Sequence, residues 1–192
     1  MSDNRILVMG VGNPLMRDEG IGPRVIETIL SGYDFPAHVE VVDAGTMGLW
    51  ILDLLLDVDR LIIVDAVKDT GHEPGTVVVM TPDDIADNQV LHSLHDMRLT
   101  DVLQNAALIG RAPEAIVVGV QIERIEEFVL ELSSSVEQAI PVAVAATLEQ
   151  LKQLGVSPTP RDDSNVHAQI IEALRTYEAM PESALTREAE AL

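Results

Sequence analysis

Short runs of apolar, mostly β-branched residues alternate along the chain with segments in which apolar residues recur every three or four positions. The runs predict five strands, at residues 5–9, 38–42, 60–64, 76–80 and 115–120. The intervening and following segments predict helices at residues 23–31, 47–57, 97–109 and 134–154. This alternation of strands and helices indicates an α/β protein.

Residues 61–64 and 116–118 are continuously apolar, which is typical of central parallel strands covered on both faces. The pattern therefore predicts an α/β fold of three layers: a mostly parallel, twisted sheet of about five strands with helices on both faces. The strand at 76–80 is an exception, because the turn-rich residues 71–75 before it are too few for a crossover helix. We expect this strand to run antiparallel to the strand at 60–65.

The length and local composition of the chain indicate its domain organisation. With 192 residues, 47% of them hydrophobic, the chain can build one full-sized core. We predict a single α/β domain over residues 1–156. Residues 157–192 are predicted to form a linker, a short amphipathic helix and an acidic tail, since the segment 155–163 has the composition of a linker.

Charge and cysteine content narrow the possible functions. Twelve Lys and Arg against 32 Asp and Glu give a formal charge of −20, which argues against nucleic-acid and anionic-membrane partners and favours a bound cation or a positively charged partner. The chain has no cysteine, so disulfides, thiolate metal sites and a cysteine nucleophile are excluded. It shows no basic leader and no apolar run of about 18 residues, so we expect a cytoplasmic protein.

Ligands of open α/β sheets bind at the carboxyl ends of the strands, and several polar or glycine residues are predicted to lie there. They are Gly12, Asn13 and Glu19 after the first strand, Asp43, Gly45 and Thr46 after the second, Asp65 at the end of the third, and His95 at the start of the helix before the last strand. Together they would bring carboxylates and an imidazole to one edge of the sheet, where their repulsion favours a bound cation. We expect this site to lie in a solvated cleft.

The carboxylates and the histidine of this set also have ordinary structural interpretations. Glu19 can complement a helix N-terminus, Asp43 can form an Asx turn, Asp65 can be a turn or cap residue, and His95 can be a surface residue. A nucleotide-binding interpretation is weaker, because Gly10-Val11-Gly12-Asn13 lacks the third glycine of the dinucleotide-binding motif.

Five motifs, taken in their order along the chain, closely resemble the hydrogenase maturation proteases over about residues 5–152. The motifs are Gly10-Val11-Gly12-Asn13, Asp18-Glu19-Gly20-Ile21-Gly22, Asp43-Ala44-Gly45-Thr46, Asp65-Ala66 and Ser93-Leu94-His95-Asp96. These proteases are endopeptidases that trim the C-terminus of the large subunit of nickel–iron hydrogenases. Gly119-Val120-Gln121 and Leu132-Ser133 are similar to the family's segment after the last strand.

The resemblance implies a role for each matched residue. Glu19, Asp65 and His95 match the metal-contacting residues of the family, and Asp43 matches an acidic position beside the site. The implied metal is nickel already installed in the hydrogenase large-subunit precursor, so no tightly bound cofactor is expected, although another divalent ion could occupy the site.

The implied reaction is hydrolysis of a peptide bond by a water molecule that either the metal or a carboxylate activates, and Asp43 is the candidate for that carboxylate. The substrate-binding candidates are Gly12, Asn13, Gly45 and Thr46. Two alternatives stay open at this point, a non-enzymatic metal-binding or nickel-delivery factor and a nucleotide-binding oxidoreductase. The sequence does not determine the oligomeric state.

Overall fold

The computed structural model describes residues 4–46, 51–81, 84, 112–161, 169, 170, 172, 173 and 175. The predicted helix at 97–109 and the candidate ligand His95 lie outside the described residues. The elements, in chain order, are β1 (Ile6–Val11), α1 (Ile21–Gly32), β2 (Tyr33–Asp34), β3 (Val39–Gly45), α2 (Ile51–Leu54), β4 (Arg60–Val67), β5 (Val77–Met80), β6 (Glu114–Gln121), α3 (Ser134–Gln153) and β7 (Thr159–Pro160).

The main sheet has five strands in the order β3-β1-β4-β6-β5, and it confirms the predicted fold class. The pairs β1–β3, β1–β4 and β4–β6 are parallel, and β5 is antiparallel to its neighbour. That neighbour is β6 and not β4, because β4 already has parallel partners along both of its edges. β5 therefore takes the outer edge, where Val77 faces Val120 in the register.

Four strands extend further than their apolar runs predicted. β1 continues to Val11 and β6 to Gln121. β3 continues to Gly45 and β4 to Val67, so Asp43 lies within its strand rather than after it, and Asp65, expected at the end of its strand, lies before that end. The expected ends of β3 and β4 were wrong because an aspartate interrupts each apolar run while the ladder of hydrogen bonds continues past it. Asp65, for example, still pairs with Gly119.

The apolar residues of the sheet alternate between two cores, one on each face. On one face, Ile6 and Val8 of β1 pack in a cluster with α1 and α3; on the other, Leu7 and Met9 pack in a cluster that includes Ile51 of α2. The helix predicted at 47–57 ends at Leu54 among the described residues, and Asp57 has a left-handed backbone (φ 63°) that a continuing helix does not allow.

The described residues after 156 include several that pack against this domain. Thr159 and Pro160 form β7, which pairs antiparallel with β2, and the Arg161 guanidinium bonds to Asp34 and to the Leu30 carbonyl. Ile170 and Ala173 are buried in the α1–α3 core. No helix in the described part of the chain is long and apolar enough to span a membrane.

Candidate active site

The candidate site lies where the connections of two neighbouring parallel strands leave in opposite directions. β1 is connected through α1 to β3, which lies beside β1 at one edge of the sheet. β4 lies on the opposite side of β1, and β6 lies beyond β4. A crevice forms at the carboxyl ends of such strands, and it is the usual ligand site of open α/β sheets. Glu19 follows β1 and Asp65 lies near the end of β4, so the topology brings both to this crevice.

Glycines let the segment after β1 fold down onto the strand ends. Arg17–Gly20 forms a 3₁₀ turn that leads directly into α1. Gly12 has a φ of 138°, and a Cβ at this position would overlap the carbonyl oxygen of Glu19. A Cβ on Gly22 would overlap the carbonyl oxygen of Val11 and lie 2.6 Å from that of Val64. The start of α1 and the turn that carries Glu19 therefore rest directly on β1 and β4.

This close packing buries both carboxylates. Glu19 and Asp65 are each 1% exposed, so the expectation of a solvated cleft is wrong for these two residues. The close approach of the glycine-containing turn to the strand ends contributes to this burial.

Burial also changes the protonation of the pair. The pKa of Asp65 is raised to about 8, and desolvation by burial is the largest cause. A hydrogen bond donated by the Ala66 N–H to Asp65 Oδ1 (2.7 Å) opposes this shift, and the charge of the nearby Glu19 carboxylate adds to it. At neutral pH Asp65 therefore keeps a proton in the absence of a cation. A divalent cation could replace that proton, because carboxylate oxygens are suitable ligands for such ions.

The predicted third ligand cannot be placed beside this pair, since His95 lies outside the described residues. Within the described ranges, no three histidine, aspartate or glutamate side chains come together as a metal-binding group. The structure thus brings Glu19 and Asp65 to one crevice, and the three-residue ligand set stays a prediction.

The other candidates form turns around the crevice. Asp43 is exposed, and its Oδ1 accepts a hydrogen bond from the Gly45 N–H (2.9 Å), as in the Asx turn considered above. Gly45 has a φ of 47°, and its carbonyl accepts from the Gly12 N–H (3.0 Å), so the ends of β1 and β3 are joined by their backbones. Asn13 Oδ1 accepts from the Leu15 N–H (3.0 Å), and Thr46 is exposed.

The sequence analysis did not identify Asp18 as a structural anchor. Its carboxylate is fully buried and accepts four hydrogen bonds: from the Ser133 N–H (2.6 Å), the Ser133 hydroxyl (2.8 Å), the Arg124 N–H (3.1 Å) and the Glu123 N–H (3.2 Å). Asp18 therefore joins the turn that carries Glu19 to the loop between β6 and α3. No local signal could have revealed this, because Ser133 is 115 residues away in the chain.

A second link runs between the same two segments. Met16 and Val129 form an isolated parallel bridge, and the Arg17 N–H donates to the Val129 carbonyl (2.8 Å). The Arg17 guanidinium also bonds to the Ser133 hydroxyl (3.3 Å) and to the Glu126 carboxylate (3.3 Å). The loop after β6 is thus held along one side of the candidate site.

Comparison with known proteins places this geometry in a family. The family model of hydrogenase maturation proteases matches residues 23–150. The chain is 38% identical over 182 residues to the hydrogenase expression/formation protein HupM of Azotobacter chroococcum, covering 93% of this chain and 87% of that protein.

Solved structures agree. The hydrogenase maturating endopeptidase HybD from Escherichia coli superposes with a TM-score of 0.76 at 36% identity, covering 83% of this chain and 99% of that one. The NiFe hydrogenase maturation protease HybD from Thermococcus kodakarensis gives a TM-score of 0.62 at 27% identity, covering 77% and 98%. The chain therefore belongs to the hydrogenase maturation protease family and is a hydrolase, an endopeptidase of hydrogenase maturation.

Proposed function

We propose that this endopeptidase removes the C-terminal peptide of a nickel–iron hydrogenase large-subunit precursor, and that it recognises nickel already inserted in that substrate. The observation that carries the proposal is the buried pair of Glu19 and Asp65 at the β1–β4 crevice. Two carboxyl groups in one desolvated site are costly without a cation, and this cost favours an ion delivered by a partner. The name of the Thermococcus kodakarensis relative, a NiFe hydrogenase maturation protease, supports nickel as that ion.

In this proposal Glu19, Asp65 and His95 provide the contacts to the substrate's nickel. Two carboxylates and one imidazole suit a borderline divalent ion and leave coordination positions for the ligands that the substrate already supplies. Binding at neutral pH displaces the proton of Asp65, because the pKa of this carboxyl is about 8 before the ion arrives. Only a precursor that carries nickel then gains these contacts and is held with its C-terminal segment at the crevice.

Cleavage itself is hydrolysis. A water oxygen attacks the scissile carbonyl carbon, the carbon–nitrogen bond breaks, and the released amine takes up a proton. Asp43 is the proposed base that accepts the proton of the attacking water, since its carboxylate is exposed at the end of β3. Gly12, Asn13, Gly45 and Thr46 are proposed to bind the extended substrate through backbone groups and through the side chains of Asn13 and Thr46. The Gly12 N–H and the Gly45 carbonyl already bond to each other, so these two groups do not take part.

The decisive experiment compares two forms of one precursor. Metal-free enzyme is mixed with nickel-loaded and nickel-free large-subunit precursor, and the product masses are measured. We expect the nickel-loaded form alone to lose a C-terminal peptide. Equal cleavage of both forms, or dependence on a stoichiometric metal in the enzyme, would favour an ordinary metalloprotease instead.

A matched pair of variants tests the role of the buried carboxylates. Glu19→Gln keeps the side-chain volume and removes the charge, so we expect it to abolish selection of the nickel-loaded precursor. Glu27→Gln makes the same change on the exposed surface of α1 and should cleave like the wild type. If Glu19→Gln remains folded and equally selective, Glu19 does not contact the nickel.

A further inference from the structure

The two loops beside the candidate site expose three large apolar side chains. Leu15 is 52% exposed, Phe128 85% and Leu130 52%. We refer to these three residues as the Phe128 patch. They make up half of the large apolar side chains that are exposed in the described part of the chain, and they fall on only two short segments. Such concentration on one area of a surface is typical of an interaction site.

The link between the loops places the two segments that carry these residues side by side. In the parallel bridge between Met16 and Val129, Leu15 precedes one partner, and Phe128 and Leu130 flank the other. The Glu19 N–H donates to the Met16 carbonyl (3.3 Å), so the same short segment carries both the patch and the buried carboxylate. The backbone of the Phe128 patch is therefore tied to the turn that carries Glu19.

Phe128 is held in an unfavourable backbone conformation. Its φ is 60°, in the left-handed region that non-glycine residues seldom adopt, and its ring gains little from burial. The loop is nevertheless anchored on both sides, by Glu126 bonded to Arg17 and by Ser133 bonded to Asp18. An aromatic residue that has a strained backbone and an exposed ring, on a loop that is anchored at both sides, indicates a functional contact.

The surroundings of the patch are acidic. Glu123, Glu127 and Glu131 are exposed on the same loop. The nearby cations Arg17 and Arg124 both pair with Glu126, and no ion pair among the described residues neutralises Glu127 or Glu131. With a formal charge of −20, a second copy of this chain would be repelled from such a surface. The charge favours a partner with lysine or arginine side chains.

We propose that the Phe128 patch docks the precursor protein through an apolar side chain of the precursor that is flanked by basic residues. The identity of the partner rests on the proposed function. The patch acts as a recognition surface separate from the nickel contacts, and it positions the precursor so that its C-terminal segment lies over the crevice. Contacts at the patch stabilise the bound precursor and the transition state of cleavage equally. Their loss therefore raises KM and leaves kcat unchanged.

Kinetics with the nickel-loaded precursor test this. F128S should raise KM by about tenfold or more with kcat unchanged, because the variant loses an aromatic contact that the bound precursor would bury. L154S is the matched control, because Leu154 is 36% exposed just after the end of α3, away from the Ser133 end that adjoins the site. The double variant E127K/E131K should also raise KM, and added salt should reduce its difference from the wild type. An unchanged KM for F128S in a folded protein would overturn the proposal.

The absence of cysteine allows a direct binding assay. F128C and L154C are each labelled with a polarity-sensitive dye and titrated with the nickel-loaded precursor. We expect a blue shift for F128C only. A shift that depends on the concentration of the labelled chain alone would assign the patch to self-association, and a dye already buried at high dilution would show that the chain covers its own patch; both results overturn the proposal.

The two proposals can fail separately. If the wild-type chain does not shorten the precursor, the proposed function is wrong, and the dye assay still decides whether the precursor docks on the patch. If cleavage depends on nickel but the F128C dye does not respond, the docking proposal is wrong and the proposed function stands.

Discussion

The buried carboxylate of Asp18 should be one of the largest single contributors to stability outside the apolar cores. The Asp18→Ala substitution leaves the Ser133 N–H and hydroxyl without their buried acceptor. The N–H groups of Glu123 and Arg124 are only partly buried, so they can donate hydrogen bonds to water instead. Each buried donor without a partner costs about 1–3 kcal/mol. The expected loss of unfolding free energy is therefore about 2–6 kcal/mol, a large fraction of the roughly 5–15 kcal/mol of a typical domain.

The assay is urea unfolding followed by circular dichroism, with the midpoint and slope compared between variants. A loss of about 4 kcal/mol should also lower Tm by roughly 8–16 °C for a chain of this size. Asp53→Ala is the matched control: Asp53 is exposed on α2, so its removal should change the unfolding free energy by less than about 0.5 kcal/mol.

A double-mutant cycle separates the free energy of the Asp18–Ser133 hydrogen bonds from other destabilising effects of the Asp18→Ala substitution. Ser133→Ala removes one hydroxyl donor and should cost about 1 kcal/mol in the wild type. In the Asp18→Ala background the same change should cost clearly less than in the wild type, because the hydroxyl has already lost its acceptor and keeps only the hydrogen bond from Arg17 Nε (3.3 Å). Additive losses, or a loss below about 1 kcal/mol for Asp18→Ala, would refute the assignment of Asp18 as the anchor of the loop after β6.

Three further predictions follow from the buried positions. In metal-free buffer the unfolding free energy should fall as pH rises from about 4 to about 8, because folded Asp65, with its pKa raised from 3.8 to about 8, retains a proton that the unfolded chain releases. Asp65→Asn should remove this part of the pH dependence and be more stable than the wild type above pH 8 in thermal melts; identical profiles would contradict the buried, protonated state. Gly12→Ala should lose more than about 2 kcal/mol in urea unfolding, since the new Cβ overlaps the Glu19 carbonyl, whereas Gly155→Ala, also at positive φ but with nothing within 4 Å, should lose about 1 kcal/mol. Ile170→Ala should cost about 2–5 kcal/mol if residues after 156 complete the α1–α3 core, and a loss below about 1 kcal/mol would show that they do not.

Local patterns in the sequence determined the elements and their order. The runs at 5–9 and 115–120 and the helical spacing at 134–154 are properties of neighbouring residues, and β1, β6 and α3 lie where those patterns predicted. The parallel arrangement followed from the alternation of the elements, and it also explains why Glu19 and Asp65 could be proposed as a pair: parallel strands bring their carboxyl ends to one edge.

Only the tertiary structure decided how that edge is built. The pairing of β5 with β6 depends on which strand edges are already occupied, the burial of Glu19 and Asp65 depends on the contact of the turn with the strand ends, and the role of Asp18 depends on a partner 115 residues away. The amino-acid sequence near an aspartate or glutamate does not show whether its side chain is exposed or buried in the folded protein. What separates the two cases is the free energy of desolvation and of long-range hydrogen bonds, and both are set by chain segments that meet only in the folded protein.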